Sequence, residues 1–256
     1  MDLRDNVIVI TGASSGFGEL IARRCAQAGA RVVLAARSRE SLERLADELG
    51  RERALAVPTD VADPEAVQQL AAATLDRFGR ADVLVNNAGF GVFGRIAEAS
   101  PADLQAMMDV NVFGALRCTQ AFLPHMLARR RGQIVMMASL SGLIATANMG
   151  FYSATKHALV AIARSLMLEL HGTGVRCALV CPGVAATGFQ RYSGFDQYPR
   201  ITRWTNCTPE QVADATLRAI ARRTHGEVVV PWYGRLLDII STPLPGVTRL
   251  VMRLVG

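Results

Sequence analysis

Val7-Ile8-Val9-Ile10-Thr11-Gly12-Ala13-Ser14-Ser15-Gly16-Phe17-Gly18 lies near the start of the chain, and its reading decides the fold. The run Asn6–Thr11 is apolar without polar alternation, as in a strand covered on both faces. The glycines then make a turn, and the pattern Glu19–Ala28 reads as a helix. A glycine-rich turn between a leading strand and a helix lets the backbone approach a pyrophosphate, which the positive helix N-terminus attracts. Gly12, Ser14, Ser15, Gly16, Phe17 and Gly18 are therefore candidate contacts to a dinucleotide.

Outward from this turn, short apolar runs alternate with longer helical patterns. The strand candidates are Asn6–Thr11, Arg31–Ala36, Ala54–Pro58, Asp82–Asn87, Gln133–Ser139, Val175–Cys181 and Glu227–Val230. Three helix starts are built alike, since Asp63-Pro64, Ser100-Pro101 and Thr208-Pro209 each place a capping side chain before a first-turn proline. Ser100 with Asp103 and Thr208 with Gln211 also have capping-box spacing. Repeated strand–helix–strand units predict an α/β fold, a Rossmann-type doubly wound parallel sheet of about seven strands with helices on both faces. No linker, repeat or low-complexity tract interrupts it, so residues 1–256 are expected to form a single dinucleotide-binding domain.

Composition removes several alternatives. Half of the residues are apolar and 20% charged, which suits a compact protein. The net charge of +6 is modest and the arginines are scattered, with no basic stripe carrying interleaved aromatics, which argues against nucleic acid. The 5 cysteines form no Cys-x2-Cys pair and lack zinc-site histidine spacing, so no metal site is expected. This cysteine pattern and the lack of a basic-then-apolar leader fit a cytoplasmic protein. The stretch from Gly132 to Thr155 is uncharged and long enough to span a bilayer, but its polar residues and Gly142 and Gly150 favour a buried strand and a loop.

The second strand bears on the choice of dinucleotide. A carboxylate roughly 20 residues after the glycines would bind the ribose 2′-hydroxyl of NAD. Here Ala36 precedes Arg37. A missing carboxylate removes repulsion and a guanidinium forks onto phosphate, so both favour the 2′-phosphate of NADP(H). Asp60 and Val61, after the third strand, are placed to meet the adenine edge.

The chain holds 28 lysines and arginines, and Lys156 is its sole lysine. It follows Tyr152 by four residues in Tyr152-Ser153-Ala154-Thr155-Lys156, which puts both side chains on one helix face. An ammonium about 5 Å from a phenolate, at an effective dielectric of about 20, stabilises it by roughly 3 kcal/mol. That would bring a tyrosine from about 10 to about 8, within reach of proton transfer near neutrality.

These features together resemble the short-chain dehydrogenase/reductase family in its shorter single-domain form, from about Asn6 to Thr187 and more weakly to about Val230. Thr11-Gly12-x3-Gly16-x-Gly18 is similar to the family's coenzyme loop. Asn86-Asn87-Ala88-Gly89 resembles its Asn-Asn-Ala-Gly signature, in which Asn87, Ala88 and Gly89 would border the cofactor. The resemblance implies Tyr152 as the acid/base. Lys156 would lower the tyrosine's pKa and hold the nicotinamide ribose, and Ser139 would hydrogen-bond the reacting oxygen. Asn111 would hold a water in a proton relay towards Lys156. It also implies that Pro182-Gly183-x3-Thr187 meets the nicotinamide carboxamide. The family's extended members and its enoyl-reductase branch use spacings that this chain lacks.

The implied function is NADP(H)-dependent interconversion of a carbonyl and an alcohol on an apolar small molecule. A catalytically silent NADP-binding sensor or scaffold is the alternative, and the presence of all four of Asn111, Ser139, Tyr152 and Lys156 speaks against it. Phe90–Arg95 and Leu140–Met149 are expected to wall the pocket. Gly188–Cys207, with Phe189, Tyr192, Phe195, Tyr198 and Trp204, is expected to form a lid. The helices around Asp103–Arg131 and Tyr152–His171 correspond to the family's usual dimer surfaces, which implies a homodimer or homotetramer. The apolar tail 231–256 suits packing on the pocket or on another subunit, and also suits a weak membrane-surface contact.

Overall fold

The computed structural model describes residues 1–185 and 205–236. Seven strands form one parallel sheet: β1 (Val7–Thr11), β2 (Arg31–Ala36), β3 (Ala54–Pro58), β4 (Val83–Asn86), β5 (Gly132–Met137), β6 (Val175–Pro182) and β7 (Gly226–Val230). The order across the sheet is β3-β2-β1-β4-β5-β6-β7. Each strand coincides closely with an apolar run in the sequence.

Successive side chains of a strand point to opposite faces, so one run of valines and isoleucines supplies two cores. Ile8 and Ile10 of β1 join the core beneath α1 (Gly16–Gln27), α2 (Arg39–Leu49) and α7 (Pro209–Ala221). Val7 and Val9 join the other core, beneath α3 (Pro64–Phe78), α5 (Ala115–Ala128) and α6 (Gly150–Glu169). Each such side chain, fully buried, contributes about 1.5–3 kcal/mol. From β1 the chain winds outward to β2 and β3, then returns to β4 on the other side. The loops after β1 and β4 therefore diverge and leave a crevice at the carboxyl ends of the strands.

The three proline-marked helix starts form as expected. Asp63 accepts from the Glu65 N–H, and Thr208 and Gln211 complete a reciprocal capping box. Ser100 differs, because its hydroxyl accepts from Ala102 at 3.2 Å rather than from Asp103. Aspartate at that position does not close the box as Gln211 does. A second departure from the sequence reading is α4 (Pro101–Met108), which passes through a π-helical stretch, Asp109–Gly114, before α5. Gly114 lets this widened turn approach the β3 side, where an added Cβ would lie 2.6 Å from Val61 Cγ2.

The uncharged stretch after Arg131 becomes β5, a 3₁₀ turn (Leu140–Gly142) and the first turns of α6. Among the described residues no helix is long and apolar enough to cross a membrane. Beyond β6 the chain is pinned on both sides of residues 186–204. Ala185 and Cys207 make an isolated parallel bridge, and the Cys207 N–H donates to Val184 at 2.8 Å. Gly183 fits against this clamp only because it has no side chain; a Cβ there would lie 2.0 Å from the Thr205 carbonyl oxygen.

Candidate active site

Thr11 ties the two halves of the crevice together. Its hydroxyl accepts from the N–H groups of Asn87 and Ala88, both at 3.0 Å, and donates to the Val85 carbonyl at 3.3 Å. The Asn87 amide donates to the carbonyls of Thr11 at 2.9 Å and Gly12 at 3.3 Å. Behind it, the buried Asn86 amide donates to Thr119 Oγ1 at 3.0 Å. The Asn-Asn-Ala-Gly segment thus locks the end of β4 to the glycine turn.

The turn itself needs its glycines. Gly12 and Gly16 adopt φ of 66° and 59°, where a Cβ is strained. Gly18 has an ordinary φ, but a Cβ on it would sit 2.2 Å from the Gly12 carbonyl oxygen and 2.6 Å from Asn87 Nδ2. Its role is close packing of α1 behind the turn, and it does not line the crevice as the sequence suggested. Ser15 caps α1 without a side-chain hydrogen bond, so no side chain occupies the helix's first N–H groups. They are available to an anion. The residues present fit a dinucleotide.

A cavity of about 550 Å³ runs from this turn across the sheet. At one end it meets Arg37, which is exposed and makes no ion pair among the described residues, and Ala36, which carries no charge. Asp60 and Val61 line the same end. Asp60 also accepts from the Ala62 N–H at 2.9 Å, which holds the turn after β3. Ser38 and Thr59 line it too and were missed by the sequence reading. Only their positions immediately after β2 and β3 would have marked them.

At the other end stand Ser139, Tyr152 and Lys156, with Asn87, Ala88, Gly89, Pro182 and Gly183 along the floor. Ser139 falls just beyond β5, not within it. Its hydroxyl accepts from Ser141 at 3.1 Å and reaches the Pro182 carbonyl at 3.5 Å. Tyr152 packs edge-on to Phe93, with centroids 5.6 Å apart, in a small apolar cluster with Met107 and Met149.

Lys156 Nζ lies 5.8 Å from the Tyr152 ring centroid and donates to the Met137 carbonyl at 3.0 Å. The sequence reading treated its charge as given. Burial instead lowers the lysine from 10.5 to about 8, with neighbouring Cys181 opposing the shift. His157, adjacent in sequence, turns its Nδ1 to the Ser153 carbonyl at 2.8 Å and stays out of the crevice.

Asn111 stands behind the crevice wall, at the π-helical turn. Its amide group donates to the Phe90 carbonyl at 2.9 Å and to Thr155 Oγ1 at 3.1 Å, and its Oδ1 accepts from Phe90 at 2.9 Å. Both amide hydrogens are committed to protein, so a relay water must use the second lone pair of Oδ1 or a backbone carbonyl. Gly89 keeps that approach open: an added Cβ would lie 3.0 Å from Asn111 Oδ1 and 3.6 Å from Lys156 Nζ. Thr187, most of the expected lid and all but 231–236 of the tail lie outside the described residues.

Comparison with known proteins agrees with this geometry. An uncharacterized oxidoreductase of Staphylococcus aureus (strain MW2) is 36% identical over 227 residues, covering 88% of this chain and 95% of the relative. A short-chain dehydrogenase/reductase from Burkholderia phymatum, solved in complex with NAD, superposes with a TM-score of 0.88 at 31% identity, covering 96% of each chain. A serine dehydrogenase solved with NADP+ superposes with a TM-score of 0.79 at 31% identity, covering 87% of this chain and 93% of that one. The family model described as short chain dehydrogenase matches residues 6–197, and with it the glycine turn, the locked β4 end and the Tyr152–Lys156 pair: the chain belongs to the short-chain dehydrogenase/reductase family of oxidoreductases.

Proposed function

We propose that the protein is an NADP(H)-dependent oxidoreductase that interconverts a carbonyl and an alcohol on an apolar small molecule. The observation that carries this reading is the convergence of Ser139, Tyr152 and Lys156 at one end of a crevice whose other end is a glycine-lined helix N-terminus. When bound, the nicotinamide supplies or accepts a hydride. Tyr152 then gives its phenolic proton to the carbonyl oxygen, or takes the alcohol proton in the reverse direction. Ser139 hydrogen-bonds that oxygen and shares its developing charge. Lys156 would hold the nicotinamide ribose hydroxyls and, while protonated, favours the phenolate. Asn111 anchors the relay that returns the proton, through a water on its free lone pair or its backbone.

NADP(H) rather than NAD(H) is favoured by Arg37, without an ion pair among the described residues, and by the uncharged Ala36 at the adenosine end. Pro182, Gly183 and Thr187 are assigned to the carboxamide. The apolar substrate is supported by Phe90, Val110, Met137, Ala138 and Val184 in the crevice lining. Of the expected walls Phe90–Arg95 and Leu140–Met149, Phe90 alone lines the crevice, while Phe93, Met107 and Met149 pack behind it with Tyr152. Exposed Phe113 and Leu127 on the 109–128 helical stretch and Leu168 on α6 support assembly through these helices as a homodimer or homotetramer.

The test is NADPH oxidation, followed by absorbance, across a panel of aromatic and aliphatic ketones and aldehydes. The wild type is expected to turn over members of the panel. Tyr152→Phe should abolish turnover while NADPH affinity, by fluorescence titration, stays within about threefold, a shift under about 1 kcal/mol. Near-wild-type rates in that variant would remove Tyr152 from the mechanism, and no oxidation across the panel would favour a silent nucleotide-binding protein.

A further inference from the structure

After β7 the chain makes a single knuckle. The N–H groups of Gly234, Arg235 and Leu236 donate to the carbonyls of Pro231, Trp232 and Tyr233 at 2.9, 3.2 and 3.0 Å. Gly234 is buried and seats the knuckle on the Ser139 side of the crevice; a Cβ there would lie 2.9 Å from Leu140 Cδ1 and 3.3 Å from Val229 Cγ1. The seat fixes what the knuckle presents outward. Trp232 is 77% exposed, Leu236 50% and Tyr233 41%, and Arg235 is exposed between them. The two aromatic rings hold each other edge-to-face at 6.0 Å. A tryptophan, a tyrosine and a leucine thus stand exposed together on one seated turn.

We infer that this knuckle docks on an anionic lipid bilayer. Tryptophan and tyrosine are the side chains that suit the boundary between headgroups and acyl chains, with an apolar body and one polar atom. Arg235 adds an attraction to anionic lipid. Charge decides between a bilayer and a second copy of the chain. At the knuckle itself, pairing two copies would bring two Arg235 guanidiniums together, whereas an anionic surface complements them. This inference is independent of the proposed reaction, since it requires no turnover.

The experiment is co-sedimentation of the full-length protein with phosphatidylcholine vesicles, alone or mixed with phosphatidylglycerol. The protein carries two tryptophans, Trp204 and Trp232, so fluorescence quenching by lipid brominated on the acyl chain is read beside it in wild type and Trp204→Phe. Binding is expected with the anionic vesicles, weakened by salt, with Trp232 quenched. The double variant Trp232→Ala, Leu236→Ser should bind at least about tenfold more weakly, since loss of either inserted side chain alone implies that much, with an unchanged far-ultraviolet spectrum. Should the Trp204→Phe protein misfold, sedimentation of wild type and double variant still decides. Absence of the wild type from the anionic pellet would overturn the inference. So would binding that the double variant leaves untouched, or a loss of oligomeric mass in that variant without lipid, which would assign the knuckle to a subunit contact.

Discussion

Replacing Lys156 by methionine should make the cofactor-free protein more stable while destroying its activity. Lys156 is buried, and its pKa is lowered from 10.5 to about 8 by that burial. The sign follows from proton counting. Between about pH 8 and 10.5 the unfolded chain keeps the proton that the folded chain has released, so stability rises with pH across that window. Below about pH 8 the folded protein carries a buried ammonium, whose cost relative to the unfolded chain is roughly 3 kcal/mol. Methionine has a similar length and no charge. It forfeits the hydrogen bond to the Met137 carbonyl, worth about 1 kcal/mol. The expected net gain at pH 7 is therefore about 2 kcal/mol. Urea unfolding of both proteins at pH 7 and again near pH 10 measures it. The buried cysteines, Cys25, Cys118 and Cys177, are pushed up to about 12 by burial and lower stability as the unfolded thiols ionise. They act alike in both proteins and cancel in the difference. The gain should shrink as pH approaches 10, where the wild-type lysine is neutral in the fold. A variant less stable than wild type at pH 7, or a difference that ignores pH, would refute the argument that catalysis here is maintained against stability.

Gly18→Ala should weaken NADPH binding at least about tenfold by fluorescence titration, because its Cβ meets the Gly12 carbonyl and must displace the turn from α1. Arg37→Ala should erase most of an NADPH-over-NADH preference expected to be at least about tenfold, and Ala36→Asp should shift it towards NADH; equal wild-type affinities would remove Arg37 from the site. Asp82→Asn should cost about 2–3 kcal/mol in urea, since the buried carboxylate accepts from the Val7 N–H, Arg80 and Arg129, each at 2.9 Å. Although burial raises its pKa, the Val7 N–H and both arginines bring the net value below the usual carboxylate range. Its contribution is therefore present above about pH 4 and is lost as pH falls through the lowered value.

The strands were legible because a sheet covered on both faces demands unbroken apolar runs, and Val7–Ile10 or Val32–Ala35 permit little else. The glycine turn and the Tyr152–Lys156 pair were legible for a similar reason: backbone approach and helical phase are local properties. Roles that depend on distant partners were harder to see. Nothing in the sequence near Thr11 says that its hydroxyl binds the β4 end, since Asn87 and Ala88 lie far along the chain. Ser38 and Thr59 line the crevice only because β2 and β3 stop level with β1. The π-helical turn at Asn111 gave no periodic signal, because one widened turn inside a long helix shifts the apolar pattern by a single residue. The lowered pKa of Lys156 also needed the fold, since four residues of spacing show a neighbour but not how much protein covers it.

The clamp beyond β6 separates two kinds of inheritance. The chain leaves the sheet at Ala185 and is back beside it at Cys207, with Gly183 against Thr205 and the Thr208 capping box starting α7 at once. Whatever lies between enters and exits at one point, so its length and composition can change without moving β6, α7 or the cofactor floor. A segment of another length or composition can therefore be grafted at the same two ends while the glycine turn, the locked end of β4 and the Tyr152–Lys156 pair stay in place.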